Sequence, residues 1–484
     1  MSSLESLKKD NLWKYFLEIS AIPRESGNEA QIREYLINYA LKHNLEHFVD
    51  QSGNVIIRAK ATKGFEKVPS IALQGHMDMV CVKDEGIIHD FTKDPIPVKR
   101  DGDFLCGEGT SLGGDNGVAL ALILDLFSDK EAQHGPLEAI ITVEEETGLT
   151  GAFGLDASLI QSRQLINLDS EEEGVFYIGC AGGIEVNARL PIEKSPVSAN
   201  SILLDISVEN LLGGHSGSEI NQQRANAISV MSRLLLKFNA HSPVQLLFIE
   251  GGTKRNVIPS LCQATIALPR TSQEEFEKIK NLLLKDLQQE YAKGDPDLTI
   301  NCRRRAAEGA VAATAQQSEA FIKSLYLAPH GVERMSETIE GMVETSSNLA
   351  LVRTTEEAFT VVSSHRSSLQ SARDNIALKM RVALETSGAK ATFEGSYPAW
   401  TPRPDSPLAA SAAKAWESFS GEKAKITAIH AGLECGIINS LVEGMDSISL
   451  GPVLLDVHST KERLSIASTE KIARFLRHLL LSLT

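Results

Sequence analysis

Two histidines and a set of carboxylates stand at or just beyond the ends of short apolar runs in this 484-residue chain. They occur in Gln74-Gly-His76-Met-Asp78, Gly113-Gly-Asp115-Asn-Gly117, Val143-Glu-Glu145-Glu146-Thr-Gly148, Asn167-Leu-Asp169-Ser-Glu171 and Val457-His458-Ser459. Imidazole and carboxylate without a thiolate pair form a donor set that suits zinc, manganese or cobalt at a hydrolytic centre. In an open α/β sheet, ligands collect beyond the carboxyl ends of the strands. Polar groups delivered there by several strands can converge on one crevice. The pattern therefore reads as a two-metal hydrolase site.

Each motif also has a plainer explanation. His76 and Asp78 are two apart, so on a continuing strand they share a side, and Asp78 can hold the second imidazole nitrogen. The plainer reading is a surface His-x-Asp at a strand end. Asp115 lies among glycines before an apolar run. It can bridge two metals or simply cap a helix. Glu144, Glu145 and Glu146 are costly together unless solvated or neutralised by a cation. On a strand, adjacent acids point to opposite sides, so one can bind metal while another handles a proton. Asp169 is preferred as a ligand because it ends a strand, and Glu171 to Glu173 read as a solvated loop. His458 alone would be structural; the other motifs make it a ligand candidate.

Further segments look suited to substrate. Gly213-Gly-His215-Ser-Gly217 and Gly251-Gly-Thr-Lys-Arg-Asn256 are turns where backbone can approach a ligand closely. Arg366 can grip a carboxylate with two parallel hydrogen bonds, or serve in a surface ion pair. Gly109-Thr-Ser111-Leu-Gly113 matches the serine-hydrolase elbow, but no strong strand precedes it and the apolar helix starts several residues late.

The elements that must position these groups follow from periodicity. Asn28 can cap a helix in which Ile32, Leu36, Tyr39 and Ala40 keep helical spacing. Residues 55–57, 71–73, 137–143, 165–168 and 175–179 read as strands, and 117–127 as a helix buried all round. This rhythm predicts an α/β fold, a mainly parallel sheet with helices on both faces. After Cys180-Ala-Gly-Gly183 the texture changes. Strands at 202–208 and 244–249, helices at 224–239 and 273–292, and a strand pair within 348–364 suggest an inserted α+β domain. Strands near 425–429 and 446–450 then resume the first rhythm. The catalytic domain is expected to be discontinuous, residues 1–184 and 398–484, with an inserted domain at 185–397.

Length alone argues for more than one core. A formal net charge of −15 disfavours nucleic acid or an anionic membrane as partner. The six cysteines, at 81, 106, 180, 262, 302 and 435, form no Cys-x-x-Cys pair and read as reduced thiols. No secretory h-region and no membrane-length apolar run is evident, so a cytoplasmic protein is expected.

The motifs, in this order, resemble the co-catalytic zinc peptidase family that includes succinyl-diaminopimelate desuccinylase, glutamate carboxypeptidases and carnosinases. The nearer likeness is to its bacterial aminoacyl-histidine (Xaa-His) dipeptidases. It is carried by residues 74–80, by His89-Asp-Phe-Thr-Lys-Asp-Pro95, by residues 168–174, by Gly179-Cys-Ala-Gly-Gly183 and by Ile429-His-Ala-Gly-Leu-Glu-Cys-Gly436. The resemblance implies two divalent metal ions per chain, zinc first, with manganese or cobalt as alternatives. His76 and Asp169 would hold one, Glu146 and His458 the other, with Asp115 bridging through what the family has as a cis Asp115–Asn116 bond. Asp78 would orient His76. Glu145 would be the general base for a metal-bridging water. His215, Asn256, Arg366 and the Ala431–Gly432 backbone would contact a small peptide substrate. The inserted domain would act as a lid and mediate a homodimer. Two other readings stay open: a deacylase or carboxypeptidase on N-acyl amino acids using the same metals, and a non-catalytic metal-dependent binding protein.

Overall fold

Eight of the chain's strands pair in the spatial order Glu46–Val49, Val55–Ala59, Leu137–Thr142, Ile71–His76, Gln164–Asn167, Asp446–Ser449, Val175–Cys180 and Lys425–Ile429. This is a computed structural model describing residues 4–483; residues 1–3, part of the stretch read above for a targeting signal, and residue 484 lie outside it. The four central strands, from Leu137–Thr142 to Asp446–Ser449, run parallel. Strands flanking this centre on either side are added antiparallel. Ile71–His76 and Leu137–Thr142 are buried along their whole length. A strand covered on both faces needs an unbroken apolar run rather than an alternating one, as their sequences have.

The helix Gly114–Ser128 is buried from Val118 to Leu126, as its all-round apolar run requires. One expectation fails locally. The helix carrying Ile32 and Leu36 starts at Ala30, behind Glu29, and Asn28 does not cap it. The Asn28 N–H is instead taken by the Glu25 carbonyl at 2.7 Å, closing a turn before the helix.

The chain forms two compact units. The first runs from the N-terminal segment to Cys180 and includes Trp400–Ala428 and the chain from Leu433 onward. Its segments share one core: Phe176 lies 5.7 Å from Phe475 and 5.9 Å from Trp416, ring centre to ring centre, and Trp416 lies 4.9 Å from Phe475. The second unit comprises Ala181–Ala399 with Ile429–Gly432. It is built on a nine-stranded antiparallel sheet. The helices Ala227–Asn239, Gln273–Glu290, Ala315–Leu327 and Gln370–Glu385 bury apolar faces in its core. No helix among the described residues is long and apolar enough to cross a membrane.

Phe475 is fully buried in the junction of those segments. Phe475→Ala should therefore destabilise the first unit by ~3–5 kcal/mol, read from chemical denaturation. A loss under ~1 kcal/mol would mean the C-terminal helix is not integral to that core.

Candidate metal centre

Three parallel strands deliver the first groups. Ile71–His76 pairs with Leu137–Thr142 on one side and Gln164–Asn167 on the other, with His76 opposite Thr142 and Gln74 opposite Asn167. Their carboxyl ends emerge together, which is where such sheets place ligands. His76 is the last residue of its strand. Glu145 and Glu146 follow the second strand, and Asp169 follows the third. Asp115 comes from the start of the helix Gly114–Ser128, and His458 from the loop after Leu454–Leu455.

These groups converge. Asp115 places Oδ1 3.1 Å from His76 Nε2 and Oδ2 3.1 Å from His458 Nε2. His458 Nε2 is also 3.0 Å from Glu146 Oε1, and His76 Nε2 is 3.5 Å from Asp169 Oδ1. Three sets of potential ligand atoms each fall within 4.8 Å: His76, Asp115 and Asp169; His76, Glu145 and Glu146; Asp115, Glu146 and His458. Asp78 Oδ1 lies 3.2 Å behind His76, at Nδ1. The Asp78 carboxylate accepts from Ser26 Oγ at 2.8 Å and from the N–H groups of Glu145 and Glu146 at 3.0 and 3.2 Å. It thus lies against the imidazole and pins the turn carrying both glutamates. The Asp115–Asn116 peptide is cis.

The strand alternation expected to separate Glu145 from Glu146 is absent. The strand ends at Thr142, and Glu144 adopts a left-handed backbone with φ 48°. That reversal turns Glu145 and Glu146 alike toward His76. Glu171 and Glu172 are exposed, but Glu173 is half-buried and accepts from Lys471 Nζ at 2.6 Å, so only part of the run is the solvated loop expected. Ser111 is buried, and its Oγ donates to the Val80 carbonyl at 2.8 Å, a structural role that leaves no place for a nucleophile.

Three supporting residues escape a reading of the sequence. Arg24 is buried and donates to the carbonyls of Met77 at 3.1 Å, Asp78 at 2.8 Å and Gly113. Asn116 accepts the His76 N–H at 3.1 Å and donates to the Leu168 carbonyl at 3.0 Å. Glu462, also buried, accepts N–H groups from Leu112 at 2.8 Å, Gly113 at 3.0 Å and Asp115 at 3.2 Å. It neutralises the free donors at the start of the helix.

The electrostatics show what this cluster lacks. Burial pushes the Asp169 and Glu145 carboxyls up, with neighbouring carboxylates adding to the effect. Hydrogen bonds that the imidazole donates to the Asp115 and Glu146 carboxylates raise His458 to about 11. Around His76, the aspartates outweigh a burial that alone would lower it. Glu145, Asp169 and both imidazoles are driven toward protonation, while the imidazoles hold Asp78 and Asp115 low against their burial, so the pocket gathers more carboxylates than its two imidazoles can neutralise. Divalent cations would supply the missing positive charge. Two imidazole nitrogens and converging carboxylate oxygens fit a dinuclear centre by donor type and by spacing.

The remaining predicted residues lie in the second unit. His215 pairs with Val257, and the Ser216 N–H donates to the Asn256 carbonyl at 2.8 Å, so His215 and Asn256 are neighbours. His215 Nδ1 accepts from the Gly217 and Ser218 N–H groups at 3.2 and 3.1 Å. In the neutral ring this leaves the proton on Nε2. Arg366 and Gly432 form a second pair around Tyr397: Arg366 Nη1 donates to the Tyr397 hydroxyl at 2.9 Å, and Gly432 packs against the Tyr397 ring.

Comparison with known proteins agrees with this geometry. Residues 206–295 match the model of a peptidase dimerisation domain. The chain is 36% identical over 480 residues to the cytosol non-specific dipeptidase of Escherichia coli K12, covering 99% of each chain. It is also 36% identical to aminoacylhistidine dipeptidase from Vibrio alginolyticus, whose crystal structure superposes with a TM-score of 0.91 over 99% of this chain and 98% of that one. The aminopeptidase PepT of Bacillus cereus shares the fold, with a TM-score of 0.57 at 18% identity over 98% of each chain. Full-length identity at this level, together with the clustered His, Asp and Glu side chains, means that the chain belongs to the M20 family of metallopeptidases, beside the bacterial aminoacylhistidine dipeptidases.

Proposed function

We propose that this protein hydrolyses dipeptides, with Xaa-His dipeptides and carnosine-like compounds as its substrates. The observation carrying the reading is Asp115, whose two oxygens each sit 3.1 Å from a different imidazole. His76 and Asp169 would hold one ion, Glu146 and His458 the other, with Asp115 shared. Zinc is the first choice, manganese or cobalt the alternatives. When bound, the ions supply Lewis acidity, which polarises the scissile carbonyl and makes water nucleophilic near neutral pH. Glu145 stands beside the ligand set and takes the water's proton, then delivers it to the leaving amine. Asp78 keeps His76 Nε2 directed at the centre. Arg366 receives the substrate's terminal carboxylate, the Gly432 backbone and Asn256 contact its peptide groups, and His215 Nε2–H meets the developing oxyanion.

The catalytic domain in this reading is made of residues 1–184 and 398–484, and residues 185–397 form a lid that dimerises. The matched dimerisation-domain model lies inside that segment and includes His215. All six cysteines are free thiols, which suits a cytoplasmic location.

Chelation should abolish turnover of an Xaa-His dipeptide panel, and zinc should restore it with about two ions per chain. Activity on N-acyl amino acids but not on dipeptides would overturn the substrate assignment. Glu145→Gln should lower kcat by ~10²–10⁴ while metal content stays at two. Metal loss with catalysis intact would make Glu145 a ligand instead. If His215 reaches the partner's metal centre, His215→Ala and Glu145→Gln proteins, each inactive, should regain activity when subunits are mixed and reassorted, because one site in the heterodimer is then complete. Heterodimers that form and stay inactive would exclude a contribution of His215 across subunits.

A further inference from the structure

Within the second unit, three adjacent strands align a row of residues. Arg366 of Ala358–Ser367 stands opposite Gly183 of Gly182–Pro191, and Gly183 stands opposite Tyr397 of Lys390–Tyr397. Side chains of directly opposed residues share a face of the sheet. Arg366 and Tyr397 are therefore two strands apart, with Gly183 between them. The phenol crosses the gap, and its hydroxyl takes the Arg366 Nη1 hydrogen at 2.9 Å. It can do so only because residue 183 is glycine. A Cβ there would lie 2.3 Å from Tyr397 Cε1, 2.4 Å from Cζ and 2.5 Å from the hydroxyl oxygen. Ring atom Cε2 faces Gly432, where a Cβ would lie 2.9 Å away. The backbone is clamped too: the buried Arg373 donates to the carbonyl of Tyr397 and, at 3.2 Å, to that of Gly183.

We infer that Tyr397, lying across Gly183, is a positioning residue that sets the Arg366 guanidinium for the terminal carboxylate of a dipeptide. The inference rests on Arg366 as the carboxylate anchor proposed above. Nη1 gives one of its two hydrogens to the phenol, which leaves the Nε–Nη2 edge unengaged by protein groups among the described residues as a fork for a ligand. Nε is buried and has no hydrogen-bond partner among the described residues. A carboxylate accepting from Nε and Nη2 makes the paired hydrogen bonds that guanidinium favours. The same phenol touches Gly432, so one side chain ties the charge anchor to the backbone proposed to hold the peptide.

The contrasting view is that the ring merely fills the space over a glycine. Steady-state kinetics on a dipeptide and on its C-terminal amide separate the two. Tyr397→Phe keeps the ring and removes only the hydroxyl. It should raise KM for the free dipeptide about tenfold, leave kcat within about twofold, and leave the amide unaffected. Gly183→Ala, whose methyl would displace the phenol by direct contact, should reproduce that pattern. Arg366→Met should abolish the preference for the free carboxylate. If Arg366→Met does so while Tyr397→Phe and Gly183→Ala keep the native KM, the positioning role is overturned and the anchor stands. If Arg366→Met leaves the preference intact, the anchor reading falls, and the role of Tyr397 with it.

Discussion

The geometry of the metal centre hangs on one carboxylate having both oxygens engaged. Asp115 reaches His76 with one and His458 with the other, each at 3.1 Å. A side chain with two short, divergent contacts cannot correct for a misplaced backbone, so the backbone itself has to be fixed. Glu462 binds three N–H groups around it, Arg24 ties the Gly113 carbonyl to those of Met77 and Asp78, and Asn116 joins His76 to Leu168. Burying Arg24 and Glu462 is costly unless their charges are well hydrogen-bonded, and each makes three such bonds. Glu462 also lies four residues after His458. The loop that supplies the second imidazole thus supplies the acceptor that holds the bridging residue.

This explains which parts of the centre were legible in the sequence. His76, Glu146, Asp169 and His458 stand at or after the ends of apolar runs and Asp115 stands where one begins, and the runs themselves reveal the strands and the buried helix. Arg24 and Glu462 carry no such mark. Glu462 sits in Lys461-Glu-Arg463, which reads like any solvated charge run, and Arg24 sits in Pro23-Arg24-Glu25. Their burial is created by distant chain segments and cannot be seen locally. Asn116 lay inside a recognised motif but looked like a spacer between Asp115 and Gly117. The left-handed turn at Glu144 was hidden for another reason: nothing in three consecutive glutamates signals a positive φ. Strand direction was also out of reach, since periodicity reports burial but not polarity. The antiparallel flanks of the parallel centre follow from pairing alone.

The second unit obeys a different constraint. The groups proposed there for substrate recognition depend on cross-strand register, so residues far apart in the chain become neighbours. The Gly179-Cys-Ala-Gly-Gly183 segment carried part of the family resemblance while offering no chemical group beyond the Cys180 thiol. Its last glycine has a use only once the register places it between Arg366 and Tyr397. A missing side chain is informative when its place is occupied by another residue.

Polar residues inside apolar strands make the converse case. Gln74, Thr142 and Asn167 interrupt runs that are otherwise suited to a core, yet all three are buried. Asn167 Nδ2 donates to Gln74 Oε1 at 2.5 Å and Ser449 Oγ donates to Asn167 Oδ1 at 2.5 Å, while Gln74 Nε2 and Thr142 Oγ1 donate to Glu434 Oε2 at 2.5 and 2.6 Å. Each of the three strands that lead to metal-centre residues contributes one member to this chain of hydrogen bonds. A register slip would break every link and strand several buried polar groups, a penalty that apolar packing alone would not impose. Such a network selects one alignment of the strands, and that alignment is what brings His76, Glu145, Glu146 and Asp169 to a single edge. The polar interruptions are therefore as much a part of the centre's construction as the ligands beyond them.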